Sequence, residues 1–219
     1  MSSIVVSGDT SGSVTLSAPA VAGSTVLTLP ASTGTVTATA SAVSAAGQIP
    51  FSTDGSTWSS TAKIVLGTAQ ASTSGASITF TGIPTWAKRV TLMLNGVSTN
   101  GTNQIIAQLG NGSAVTSGYS CFVGTMQGGG LSTASNTTGF AVDSANTSAY
   151  LVYGNLVFTL QTGNTWTCTI ATGANNVGNF RASTGGGVIA LAGSLDRVVL
   201  TSVGSIDTFD AGSINIMYE

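Results

Sequence analysis

The sequence predicts an all-β protein: an antiparallel β-sandwich, jelly-roll-like, preceded by an extended β N-terminal arm. Three observations support this fold class. Short segments in which apolar and polar residues alternate recur from residue 63 onward. Turn residues separate these segments about every 8 to 12 positions, which is typical of a sandwich or a jelly roll. No stretch shows a convincing helical period.

Residues 1–45 are interpreted as an attachment arm or stem. Two similar short strands, SVTLSAPA and TVLTLPAS, occur there, and each stops at a proline, Pro19 or Pro30. Strands this short cannot bury a core alone. The arm is therefore expected to pair with another sheet or with copies of itself from neighbouring subunits.

Residues 46–62 are predicted to form a connector hairpin. Asp54-Gly55 is a strong hairpin-turn signal, and it lies between Phe51 and Trp58. We expect these two aromatic residues to pair across the two strands.

Residues 63–219 are predicted to form the β-sandwich head domain. Turn signals occur at Asn95-Gly96, Asn100-Gly101, Asn111-Gly112 and Gly163-Asn164. The predicted strands are KIVLGT, SITFTG, KRVTLMLNGV, NQIIAQLG, YSCFVGTM, YLVYGNLVFTLQ, TWTCTIAT, GGVIALAG, DRVVLTS and INIMYE.

Two segments of the head receive a specific interpretation. Residues 128–139, GGGLSTASNTTG, are predicted to be a long exposed loop. Residues 195–219 are interpreted as a closing hairpin whose turn carries Asp207 and Asp210. This aspartate pair could bind Ca²⁺, but we favour turn capping and hydrogen bonding to the backbone.

The composition limits the partners. Only 5% of the residues are charged, against about 25% in ordinary soluble proteins, which favours a surface partly covered by partner subunits. Five basic residues spread over the chain form no basic patch, so nucleic acid is an unexpected partner. No apolar run approaches the roughly 20 residues of a membrane helix. The opening MSSIVVSGDTSG lacks the features of a secretory signal.

The residues also argue against catalysis, a cofactor or a metal. Histidine is absent and Glu219 is the only glutamate, which removes His-dependent triads and a paired-glutamate glycosidase. Ser60 to Lys63 matches S-x-x-K, but the motif leads into a strand instead of a helix. Cys121 and Cys168 are expected to be free, buried thiols.

Aromatic residues are the remaining candidates for a receptor site. On alternating strand positions each is more often part of the core than a stacking platform for a sugar. No receptor-binding residue is therefore assigned. The six residues considered are Trp58, Trp86, Trp166, Tyr119, Tyr150 and Tyr153.

Several runs resemble proteins of tailed bacteriophages. Residues 79–110 (TFTGIPTWAKRVTLMLNGVSTNGTNQIIAQLG), residues 163–173 (GNTWTCTIATG) and the closing LDRVVLTSVGSIDTFDAGSINIMYE resemble a domain of phage and prophage tail-fibre and minor virion proteins. The opening SGDTSGSVTLSAPAVAGSTVLTLPASTGTV resembles a segment of tailed-phage structural proteins. Residues 111–150 match least, and receptor-facing variation is expected there.

The resemblance implies a virion structural protein, a homotrimeric tail fibre or spike assembled in the host cytoplasm. It would attach to other virion proteins by its N-terminal arm and present the sandwich for adsorption to the host surface, with a surface glycan as a possible receptor. The family provides no catalytic or cofactor residues to transfer. The first alternative is a capsid head-fibre or decoration protein. A polysaccharide depolymerase is the less favoured alternative.

Overall fold

The computed structural model describes residues 3–7, 13–17, 51–52, 58–59 and 64–219. The chain divides into two units, and the described residues of the first form two small sheets. In one of them, β1 (Ser3–Ser7) pairs with β2 (Ser13–Ser17) in an antiparallel ladder. Strand β2 coincides with the predicted SVTLS segment, whereas the second predicted segment, TVLTLPAS, lies outside the described residues.

The other small sheet is the connector hairpin. Strand β3 (Phe51–Ser52) pairs with β4 (Trp58–Ser59), so the predicted hairpin is confirmed, although its Asp54-Gly55 turn lies outside the described residues. The register places Phe51 opposite Ser59 and Ser52 opposite Trp58. The predicted Phe51–Trp58 pair is therefore wrong by one position, because residue pairing in a hairpin follows the connection length.

The second unit contains the sandwich, and the described part of it has fourteen strands and no α-helix. In chain order the strands are β5 (Val65–Leu66), β6 (Gln70–Ala71), β7 (Ser77–Thr81), β8 (Arg89–Thr99), β9 (Ile105–Asn111), β10 (Ser113–Ala114), β11 (Ser120–Gln127), β12 (Gly130–Asn136), β13 (Phe140–Ala141), β14 (Leu151–Thr162), β15 (Thr165–Asn176), β16 (Asn179–Ala190), β17 (Arg197–Ser202) and β18 (Phe209–Tyr218). A single 3₁₀ turn, Val203–Ser205, precedes β18.

The strands form a large sheet and a small sheet, and every pairing is antiparallel. The large sheet has the order β12-β11-β16-β15-β14-β8-β18-β5, with β6 also paired to β18. The small sheet has the order β10-β9-β17-β7, with β13 also paired to β9. The two sheets pack together, which confirms the predicted all-β sandwich.

The core lies between the sheets and follows from the alternation of the sequence. The large sheet contributes alternate residues such as Leu92, Phe158 and Ile170, each fully buried. The small sheet contributes Leu109 and Val198. Because successive strand residues point to opposite faces, each apolar run supplies one buried side chain every second position.

The predicted closing hairpin is wrong. Strand β17 lies between β9 and β7 in the small sheet, whereas β18 lies between β8 and the short strands β5 and β6 in the large sheet. The segment that joins them crosses from one sheet to the other. Each strand is central in its own sheet, so each needs neighbours on both sides that the other does not provide.

Two further local predictions fail. Residues 128–139 are not a loop, since β12 pairs with β11 over seven positions. Asn95-Gly96 is not a turn but lies inside β8, where Gly96 has a φ of 65° and the pairing with β18 shifts register. This is a β-bulge, a place where a positive φ favours glycine. The turns at Asn111-Gly112 and Gly163-Asn164 do connect paired strands, as predicted.

Candidate interaction surface

The solvent-facing side of β14, β15, β16, β11 and β12 is here called the open face. The strand register arranges its side chains in rows that run across the five strands. The rows are Tyr153, Gly173, Ala182, Met126 and Leu131; then Asn155, Ala171, Thr184, Gly124 and Thr133; then Val157, Thr169, Gly186, Phe122 and Ser135; then Thr159, Thr167, Val188 and Ser120.

Large apolar side chains project from the open face. Phe122 and Met126 are 65% and 60% exposed, and Leu131 is 71% exposed. Phe180, which precedes Ala182 by two positions on β16, is 71% exposed. None of the residues in the rows is charged. Scattered apolar residues are common on protein surfaces, but a contiguous group of them marks an interaction site.

A groove of about 660 Å³ runs along the middle of the open face. It exists because Gly124 and Gly186 contribute no side chains to its floor. Phe122 forms part of its wall. A Cβ atom on Gly124 would lie 3.5 Å from Cδ1 of Leu131, so this leucine leans over the edge of the groove. The open face therefore has protruding side chains and a groove side by side.

A polar cluster occupies the inner side of the same strands near one end. The Arg181 guanidinium lies 3.7 Å from the centroid of the Tyr150 ring, in a cation–π contact. Arg181 Nε donates to Gln127 Oε1 at 2.7 Å, and Gln127 Nε2 donates to the Tyr150 hydroxyl at 2.7 Å. Arg181 also donates to the Ala145 carbonyl at 2.6 Å. These contacts fix segment 142–150 against β16 and β11.

Asp143 is the buried acid of this cluster. Its carboxylate lies 3.5 Å from Arg181 Nη1, and its side chain is 2% exposed. Burial raises the pKa of Asp143 to about 6, even though the Arg181 charge acts in the opposite direction. Among the described residues, Asp143 Oδ1, Ser144 Oγ and Asn146 Oδ1 have no hydrogen-bond partner. Arg181 is not the only residue that holds the segment, because Gln104 donates to the Asp143 carbonyl and the Ser144 N–H donates to Thr125. Burial of the Asp143 carboxylate has an electrostatic cost.

The structure separates Asp207 from Asp210. Asp207 is buried in the connection between the sheets, where it accepts hydrogen bonds from the backbone N–H and the side-chain amide of Asn103 at 2.8 and 2.7 Å. Asp210 is exposed on β18. The predicted backbone-bonding role of Asp207 is confirmed. The described residues contain no group of three or more His, Cys, Asp or Glu side chains that could hold a metal ion.

Cys121 and Cys168 are both free and both buried, as predicted. They lie on β11 and β15, and each is opposite Gly187 on the intervening β16. Two strand spacings separate their Cα atoms by about 10 Å. This exceeds the roughly 7 Å limit for a disulfide. Burial raises the pKa of both thiols, so they remain protonated at neutral pH.

The aromatic residues considered as sugar platforms are mostly part of the core, as the sequence analysis favoured. Trp166, Tyr119 and Tyr150 are buried, and Trp86 packs half-buried against the core. Tyr153 is 39% exposed and belongs to the open face. The side chain of Trp58 lies outside what the structure describes.

The open face was not predicted from the sequence, although the segment YSCFVGTM has apolar residues that would lie on both faces of a strand. In YSCFVGTM, the odd-numbered residues Cys121 and Val123 point to one face of the strand, and the even-numbered residues Phe122 and Met126 point to the other. Apolar residues at both parities indicate a strand covered on both faces. The Asp143–Arg181 pair left no comparable signal, because 37 residues separate its members along the chain.

Chemically, this arrangement offers apolar contact area and hydrogen bonds. The S-x-x-K residues, Ser60 to Lys63, lie outside the described residues. Within the described part of the chain, no helix is long and apolar enough to cross a membrane. A scan against protein-family models finds no match. No curated protein matches, and no solved structure matches.

Proposed function

We propose that this chain is a structural subunit of a bacteriophage virion, a tail fibre or spike that presents its β-sandwich for adsorption to the host surface. The open face is the observation that carries the proposal. An uncharged side of a sheet with exposed Phe122, Met126 and Leu131 is suited to contacts between subunits. The likeness of the sequence to phage fibre proteins supports the virion assignment.

In this proposal the N-terminal arm and the sandwich have separate roles. Residues 1–45 attach the subunit to other virion proteins, and the sandwich is carried in several copies at the distal end. Adsorption then depends on many weak contacts held in one assembly, because linked sites gain avidity without new contacts. The expected assembly is a homotrimer.

Light scattering on the full chain tests the assembly, and a monomer would overturn the trimeric fibre. The virion assignment needs a second measurement, for which a gold label is placed on the N-terminus in intact particles. Label on the tail supports a fibre or spike. Label on the head instead supports the capsid alternative, and its absence from all particles overturns a virion role.

The depolymerase alternative has its own test. Purified chain is incubated with polysaccharide of the host surface, and reducing ends are counted. No release above a buffer blank is expected, because the chain has no histidine and one glutamate. Enzyme-dependent release would replace the structural role with a catalytic one.

A further inference from the structure

The arrangement of the open face suggests which partner covers it. Its groove lies over Gly124 and Gly186, and the exposed side chains of Met126 and Leu131 occupy the next row along the same strands. Rows on one face of a strand are about 6.8 Å apart. The protruding side chains of Met126 and Leu131 therefore lie next to the groove on one surface. The side chains of one copy can enter the groove of a second copy.

The area is sufficient for a specific contact. Five strands about 4.8 Å apart and four rows about 6.8 Å apart give a face of about 650 Å². Two such faces that meet in full as a pair bury about 1,300 Å², which exceeds the about 1,000 Å² expected of a biological interface. In a ring of three, each face is shared between two neighbours, and the three faces together bury about 1,950 Å².

The absence of charged residues from the open face also favours a second copy of the chain as its partner. A charged partner surface would lose its hydration against the open face and find no opposite charge there, which is costly. A second open face brings apolar, hydroxyl and amide side chains only. Thr133, Thr184 and Ser135 line the groove and can exchange hydrogen bonds with the same residues of a partner.

We propose that the open face is the contact between copies of this chain, with Met126 and Leu131 of one copy seated in the Gly124–Gly186 groove of the next. A trimer requires the protrusion and the groove to engage different neighbours, in a heterologous contact that forms a ring when the rotation between successive copies closes. This inference rests on the proposed function, for which it names the surface that holds the trimer together.

The test introduces one charge at a time into the full chain. Met126→Glu and Leu131→Glu place a carboxylate on the open face, and Ile206→Glu is the matched control, since Ile206 is 73% exposed on the connection between β17 and β18. Sedimentation measures association, and circular dichroism checks the fold. Each open-face variant is expected to weaken association about 100-fold, as for an unpaired charge buried in an interface. The control is expected to associate like the wild type.

A folded Met126→Glu or Leu131→Glu variant that associates normally overturns the inference while leaving the proposed fibre intact. Loss of a dimer, instead of a trimer, in those variants supports the inference and contradicts the trimeric fibre. A monomeric wild type overturns both. In that case, maleimide labelling of a Thr184→Cys variant identifies the occupant: protection of the cysteine would assign the open face to another segment of the same chain.

Discussion

The two faces of the large sheet use the same strands in opposite ways. On the inner face, Phe158 and Ile170 are fully buried against the small sheet. On the open face, Phe122 and Leu131 are 65% and 71% exposed. Both faces lack charge over most of their area, so hydrophobicity alone does not distinguish them. The partner sheet, and not composition, therefore decides which apolar residues specify the fold and which remain for association.

The largest expected effect comes from truncating a matched pair of phenylalanines. The ring centroids of Phe158 and Phe140 lie 5.6 Å apart in the core. Phe158→Ala is expected to reduce the free energy of unfolding by about 3–5 kcal/mol. Phe122→Ala on the open face is expected to cost less than about 1 kcal/mol. Urea unfolding of the dissociated chain, at a concentration below that needed for association, measures both. Equal losses would contradict the assignment of the two faces.

The polar end of the inner face is expected to respond to pH. The pKa of Asp143 is raised from 3.8 to about 6 by burial, so the folded state holds this proton more tightly than the unfolded state. The contribution of Asp143 to stability is therefore present at low pH and falls by up to about 3 kcal/mol as the pH rises through this window. The free energy of unfolding of the wild type, relative to that of Asp143→Asn, is expected to decrease from pH 3.5 to pH 7. A constant difference would show that Asp143 titrates normally.

Glycines on the two faces provide a smaller contrast. A Cβ on Gly187 would lie 2.5 Å from the Ser120 carbonyl oxygen and 2.9 Å from Cε1 of Phe140. Gly187→Ala is therefore expected to destabilise the fold by about 1–3 kcal/mol, as overpacking does. Gly124→Ala, whose Cβ meets only ordinary contacts, is expected to be tolerated. Thermal unfolding compares them, and a tolerated Gly187→Ala would mean that β16 and β11 separate readily.

The cysteines give the smallest effect. Cys121 and Cys168 are 1% and 5% exposed, and burial raises their pKa values. Because a protonated, buried thiol is a poor nucleophile, both are expected to resist a thiol reagent in the folded chain. In urea both are expected to react. Fast labelling of either cysteine without urea would indicate that the inner face opens locally.

The alternation of the head sequence was sufficient to predict most of its long strands, including those that contain Phe158 and Ile170, because one buried face imposes a period of two. Of β16 it predicted only the last part, because GGVIALAG begins at residue 186. It failed at β12, whose Gly, Ser and Thr side chains pack on no core and therefore carry no apolar period. It failed at Asn95-Gly96, since a bulge and a turn both use glycine with a positive φ.

Partners across the sandwich were less predictable than strands. The hairpin interpretation of residues 195–219 assumed that strands adjacent in sequence are paired, whereas β17 and β18 each join strands from far earlier in the chain. The contact of Arg181 with Asp143 depends on that same long-range topology. The open face was missed because YSCFVGTM was predicted as a strand with no assignment of its two faces.

The crossing from β17 to β18 also determines when the domain can fold during synthesis. Strand β17 inserts between β7 and β9, and β18 inserts between β8 and β5, all of which leave the ribosome earlier. The small sheet has a gap between β9 and β7 until β17 has emerged, and the large sheet lacks its β18–β5 edge until Tyr218 has emerged. The nascent chain must therefore keep its incomplete sheets, with their unpaired strand edges, from associating with other chains. A ribosome that stalls before β18 releases a chain in which the β8 edge of the large sheet is unpaired and prone to aggregation.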